Sequence, residues 1–106
     1  MTYEPGDWIV RRGARAGGLF IVVDGEAAVV VDGQDRSRLG PGSFFGEISV
    51  LLDEPATVGI AARTTLTCLL VPAGAVERLL ADHGGLTLAM LRTQSRRLQT
   101  ANQWRV

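Results

Sequence analysis

The chain has 106 residues, 46% hydrophobic and 21% charged, with 11 basic and 11 acidic side chains. That length means one domain (1–106), large enough to bury a core, and a net charge of zero argues against bulk attraction to nucleic acid or anionic lipid. A single cysteine, Cys68, and a single histidine, His83, exclude an internal disulfide and the His- or Cys-rich metal centres, and fit a reducing, cytoplasmic setting.

The start, residues 1–7, is polar and contains Pro5-Gly6, so it does not read as a signal peptide. No apolar run reaches the ~18 residues of a membrane helix. Residues 7–12 predict a short strand and 13–18 a glycine-rich loop. Residues 19–23 are a continuous, β-branched apolar run, too short for an independent helix. Asp24-Gly25 is a hairpin turn signal, 26–31 the return strand, and Asp32-Gly33 a second signal of the same kind. Another strand over 36–39 ends at Gly40-Pro41-Gly42. Further on, 57–62 predicts a strand with Val58, Ile60 and Ala62 on one face, and 66–71 another that stops at Pro72. Links this short favour antiparallel pairing.

The period then changes. Residues 74–82 place Val76, Leu79 and Leu80 at helical spacing, and Gly84-Gly85 punctuates the chain. Residues 86–104 predict a second helix with Leu88, Leu91, Ser95, Leu98 and Asn102 on one stripe, close to a heptad seam. Arg92, Arg96, Arg97 and Arg105 lie beside it and read as a solvated face. This organisation is a strand-rich part, 1–72, followed by helices, 73–106, and suggests a module of a longer protein.

The strand series is interrupted once. After Gly40-Pro41-Gly42 come Phe44-Phe45, then Gly46-Glu47, a short apolar run over 48–52, and Asp53-Glu54-Pro55. That run is long enough for one helical turn. A single turn opened by glycine has free backbone N–H groups and a positive dipole end, which hold anions. Asp53-Glu54 before a proline reads as a solvated turn, not a catalytic pair. No serine has a histidine partner at plausible spacing, and His83 is alone, so neither catalytic residues nor metal ligands are expected.

Taken together, the anchors Pro5-Gly6-Asp7, Gly13, the run from Phe20 to Gly25, the run from Leu39 to Glu47, Leu51-Leu52 and Pro55 resemble the cyclic nucleotide-binding domain. The resemblance extends to about Leu98; the family's helix before the first strand is missing or truncated. The implied fold is mainly β: an antiparallel, jelly-roll-like β-roll (a double-stranded β-helix) of eight or so strands. One helical turn lies between the sixth and seventh strands, and two helices lie at the C-terminus. By the same resemblance, 45–58 is the phosphate-binding cassette. Phe45 and Gly46 shape it, the latter letting backbone approach the cyclic phosphate and ribose. Glu47 accepts from the ribose 2′-hydroxyl, and the backbone N–H groups of Ile48 and Ser49 face the phosphate. Ala56, Thr57 and Val58 close the segment.

One position departs from the family. The residue after the proline is ordinarily an arginine that pairs with the exocyclic phosphate oxygens; here it is Ala56. Arg63 has the opposite strand parity to Val58, Ile60 and Ala62 and is expected to point outward; Arg36, Arg38 and the helix arginines remain open as substitutes. Losing one partner of a desolvated charge pair costs ~2–5 kcal/mol, roughly 30- to 5,000-fold in affinity. The expectation is a non-catalytic regulatory domain. Cyclic AMP or cyclic GMP would be its small-molecule nucleotide ligand, held weakly, and the C-terminal helices would relay its presence. The alternative is a structural or protein-interaction module with an empty pocket. It would pack on a neighbouring domain of the parent protein, or form a homodimer through Leu88, Leu91, Ser95 and Leu98. Nucleic acid and membrane are not expected as partners of this chain.

Overall fold

A computed structural model describes residues 1–102. The alternation of apolar runs and turns forms eight strands among these residues: β1 Thr2–Tyr3, β2 Trp8–Val10, β3 Gly18–Asp24, β4 Ala27–Val31, β5 Gln34–Leu39, β6 Phe44–Phe45, β7 Gly59–Ala62 and β8 Leu66–Pro72. They make two four-stranded antiparallel sheets, ordered β1-β8-β3-β6 and β2-β7-β4-β5. The single turn α1, Glu47–Leu52, separates β6 from β7, and α2, Ala73–Asp82, and α3, Gly84–Asn102, follow. This is the β-roll expected from the sequence, with strands ending at Pro72 and helices beginning at Ala73.

The chain forms two compact units, which divide after Val76. In the first unit, one apolar cluster draws residues from both sheets: Phe20, Val22, Phe45, Leu66 and Cys68 from one, Val10, Ala27, Leu39, Ile60 and Ala62 from the other. The core therefore lies between the sheets. Ile60 and Ala62 point inward as the period-2 reading of β7 requires, with Val58 packed beside them. The intervening Ala61 lies on the opposite face of the sheet, where it is buried with Ala28 and Val30 in a small second cluster.

The two Asp-Gly turn signals have different outcomes. Asp32-Gly33 links β4 to β5, which pair directly, Val31 opposite Gln34. Asp24-Gly25 does not close a hairpin: β3 lies in one sheet and β4 in the other. The reason is that β3 already has neighbours on both sides, β8 from Gly18 to Asp24 and β6 at Phe20 and Ile21. The corner after β3 packs instead on the β7–β8 turn, where the Glu26 amide donates to Thr64 Oγ1 at 2.9 Å and the Glu26 carbonyl accepts from the Arg63 amide at 2.9 Å.

In the second unit, α2 ends at Asp82 and α3 starts at Gly84, so the glycine pair lies in the first turn of α3 rather than between the helices. The break is His83. The Thr87 hydroxyl donates to the Leu80 and His83 carbonyls there, satisfying groups that a helix end would otherwise leave orphaned. On α3, Met90 is buried, with Leu86, Thr87, Thr93 and Arg97 half-buried. The heptad-like stripe is the other face: Leu88, Leu91 and Leu98 are exposed, and the Ser95 hydroxyl donates back to the Leu91 carbonyl. The remainder of that predicted helix, with Trp104 and Arg105, lies outside the described residues.

Burial raises the Cys68 thiol above its ordinary value, opposed in part by the N-terminal ammonium group. The folded chain thus favours the neutral thiol. That contribution is complete below the unfolded thiol's pKa of about 8.5 and is lost as pH rises through the folded value. Urea-unfolding free energies between pH 7 and 10 should therefore fall more steeply for the native chain than for Cys68→Ala. Parallel slopes would show that the thiol is not held neutral by the core.

Candidate functional site

The approach to the site is built from turn chemistry. At Gly40-Pro41-Gly42 the chain reverses, the Ser43 amide donating to the Gly40 carbonyl at 2.9 Å. Two bonds of 2.8 Å, Gly42 amide to Val22 carbonyl and Val22 amide to Ser43 carbonyl, then bind this turn to β3. β6 continues the pairing, and the rings of Phe20 and Phe45 stack at 5.0 Å between centroids with planes 5° apart.

Gly46 follows with φ 88° and ψ −7°, the left-handed region, and is the N-cap of α1. A Cβ there would collide with the Gly18 carbonyl oxygen. So both its conformation and its surroundings demand glycine. α1 then has its polarity inside out. Glu47 and Ser49 are buried, whereas Ile48, Leu51 and Leu52 are 44%, 54% and 60% exposed. A buried polar pair on a turn whose apolar residues face solvent opposes the ordinary partition of side chains. The buried carboxylate also sits in the first turn, the favourable end of the helix dipole.

The loop between β2 and β3 grips this turn along its length. The Ala16 amide donates to Ser49 Oγ at 3.2 Å. The Gly13 amide donates to the Ala56 carbonyl and the Ala56 amide to the Ala14 carbonyl, both at 2.8 Å. Arg15 Nη1 reaches Asp53 Oδ1 at 2.6 Å. Asp53 itself is the left-handed C-cap of α1, φ 53°, its amide donating to the Ser49 carbonyl. It is a solvated cap, as its place before a proline implied.

The structure thus brings Phe45, Gly46, Glu47 and Ser49 onto one side of β3 and pins Ala56 to the same loop. Ile48 contributes backbone only, its side chain being exposed; Thr57 is exposed, and Val58 packs on the core. Arg63 does not reach this region. Its guanidinium forms a two-pronged ion pair with Asp35 of β5, at 2.8 and 2.6 Å. Those bonds raise Arg63 and lower the Asp35 carboxyl relative to their ordinary values. Arg38 lies 3.9 Å from the same carboxylate. The arginine that does stand beside α1 is Arg15, in a loop the sequence marks only by its glycines. Its signal was a lone charged side chain among Gly13, Ala14, Ala16 and Gly17, the small residues that close backbone approach requires. Among the described residues no cluster of three or more His, Cys, Asp or Glu side chains is placed to hold a metal.

A model of the cyclic nucleotide-binding domain family matches residues 1–83. The chain belongs to that family. A cGMP-dependent protein kinase of Plasmodium berghei is 36% identical over 67 residues, 63% of this chain and 8% of the kinase. The chain therefore spans a small fraction of that relative's length. Among solved structures, one described as Sp-2Cl-cAMPS bound to PKAR CBD2 superposes with TM-score 0.77 at 22% identity, over 96% of this chain and 70% of that one. The regulatory subunit of a cAMP-independent protein kinase A from Trypanosoma brucei gives TM-score 0.80 at 23% identity, over 100% of this chain and 38% of that one. These two likenesses establish the cyclic nucleotide-binding fold, and the relatives with a printed source, from Plasmodium berghei and Trypanosoma brucei, give no support to a bacterial origin.

The geometry ranks the cassette substitutions. Gly46→Ala should destabilise the domain most, through left-handed strain of ~1–3 kcal/mol plus the collision with Gly18. Ser49→Ala, which strands the Ala16 amide, should cost ~1–3 kcal/mol. Asp53→Asn, which breaks an exposed ion pair but keeps a residue suited to the left-handed cap, should cost ~0–1 kcal/mol. Urea titration of the three variants checks the order.

Proposed function

We propose that the chain is the non-catalytic sensing module of a longer cytoplasmic regulatory protein, taking a cyclic nucleotide or a related small ligand in the cassette over 45–58. The observation that carries this reading is the inverted turn α1, which keeps Glu47 inside and its apolar residues out. Family membership supplies the ligand class. Glu47 would receive a ribose hydroxyl, and the first amides of α1 would face the phosphate. Ala56 occupies the place of the phosphate arginine, so the cassette would hold its ligand by the ribose and by backbone dipoles, with reduced affinity for the charged phosphate.

Output would pass through the C-terminal helices. A ligand can move them only by binding two helix arrangements unequally, so the relay is a population shift.

A second reading is favoured by one observation, the exposure of Leu88, Leu91 and Leu98 at 46%, 62% and 65%. In it α3 pairs with another helix. Because α3 carries Arg92, Arg96 and Arg97 and no carboxylate, a second copy would set arginine against arginine. A more acidic neighbouring domain of the parent protein suits the stripe better than a homodimer.

Calorimetry with cyclic AMP and cyclic GMP tests the first reading. The native chain should bind at submillimolar strength or weaker, and Ala56→Arg should tighten binding by roughly 30- to 5,000-fold. Absence of heat for both proteins at millimolar ligand, with folding intact, would overturn it. For the second reading, sedimentation velocity over a hundredfold concentration range should return a monomer. A concentration-dependent dimer lost in Leu91→Glu would instead establish the homodimer.

A further inference from the structure

The second sheet carries a groove that the cassette does not use. It has a volume of about 420 Å³ and lies across the end of the sheet where β2 finishes, β4 turns into β5 and β7 begins. Its floor is the register pair Val30 and Gly59. One wall is Trp8 with Arg11 and Arg12; the other is the Asp32-Gly33 turn.

Gly59 explains how the wall is made. A Cβ there would come within 2.5 Å of Trp8 Cζ3 and within 3.3 Å of two further ring carbons, so only glycine lets the indole lie down on β7. The indole nevertheless stays 41% exposed. The Arg11 guanidinium stands 5.8 Å from its ring centroid, and Arg11 makes no ion pair among the described residues. Arg12 leans across the groove to Asp32 at 3.5 Å, with both side chains largely exposed. The groove therefore holds two guanidiniums against one carboxylate, around a flat apolar surface, in a chain whose net charge is zero.

Tryptophan and arginine are the residue types that dominate binding energy at protein interfaces. The occupant's chemistry follows from charge and shape. The excess positive charge calls for carboxylates, and Arg11 offers one an uncontested partner, whereas at Arg12 it competes with Asp32. Trp8 and Val30 call for an apolar side chain between them. The groove is open along its length, so it cannot enclose a small molecule to the 70–90% typical of such sites, but a chain can run through it. Two arginines would neutralise too few phosphates to support binding of a nucleic acid.

We propose that this groove binds an extended acidic peptide segment, an apolar side chain resting on the Trp8 ring and flanking carboxylates meeting Arg11 and Arg12. The full chain carrying Trp104→Phe leaves Trp8 as the sole tryptophan, making its fluorescence a direct report. The probe is a blocked peptide with leucine between two glutamates, flanked by glycines. It should change Trp8 emission saturably, with a midpoint that rises on adding salt. The midpoint should rise at least tenfold in Arg11→Gln and less in Arg12→Gln. Calorimetry of Trp8→Ala, which needs no fluorescence and whose folding is checked by circular dichroism, should show no heat. The proposal is overturned by any of four results: no saturable change at millimolar peptide, equal binding of the glutamine-for-glutamate peptide, an unchanged midpoint in Arg11→Gln, or the same response to inorganic phosphate.

Discussion

The cassette depends on a stack of backbones without side chains between them. The Val71 carbonyl on β8 lies against Gly18 at the start of β3, and the Gly18 carbonyl lies against Gly46 at the cap of α1. A methyl group at either glycine would force these layers apart. Gly18 sets how closely β3 approaches β8, and Gly46 sets how closely α1 approaches β3. The Phe20–Phe45 stack beside Gly46 keeps the same approach from the core side. With the turn held this close, Glu47 and Ser49 have nowhere to go but inward.

That constraint explains why polarity is reversed on α1. A free turn of this sequence would bury Ile48, Leu51 and Leu52 and leave its glutamate in water. Here the orientation of the turn is fixed at both ends, by Gly46 and by the capped Asp53, and along its middle by the Ala16–Ser49 hydrogen bond. Burying a carboxylate costs free energy that the surrounding contacts must offset. Glu47 is held inside beside the loop that also binds the backbone of Ala56.

The sequence and the structure agree where the information is local, and part where it is not. Short apolar runs bounded by turn signals located β3, β4, β7 and β8, and helical spacing located α2 and α3. The two Asp-Gly signals look alike over two residues yet make a hairpin in one case and a corner between sheets in the other. What distinguishes them is that β3 is claimed by β8, whose Leu70 and Cys68 lie opposite Phe20 and Val22 nearly fifty residues away. No window of sequence contains both partners. The two-residue strands β1 and β6 were invisible for the same reason: their strand character is conferred entirely by neighbours.

The chain's residues alone determined the family resemblance and the β-roll it implies, because these are matters of residue type at fixed spacing. Outside the period-2 strand β7, only the tertiary structure decided which way the residues point. It turned Glu47 inward and the leucines of α1 outward, sent Arg63 to Asp35, brought Arg15 and the loop around it to the cassette, and laid Trp8 over Gly59. The physical reason is that burial and pairing are properties of the packed sheets. A side chain's partner is set by strand register and close backbone approach across the fold, and neither quantity is written in the spacing of residues along the chain.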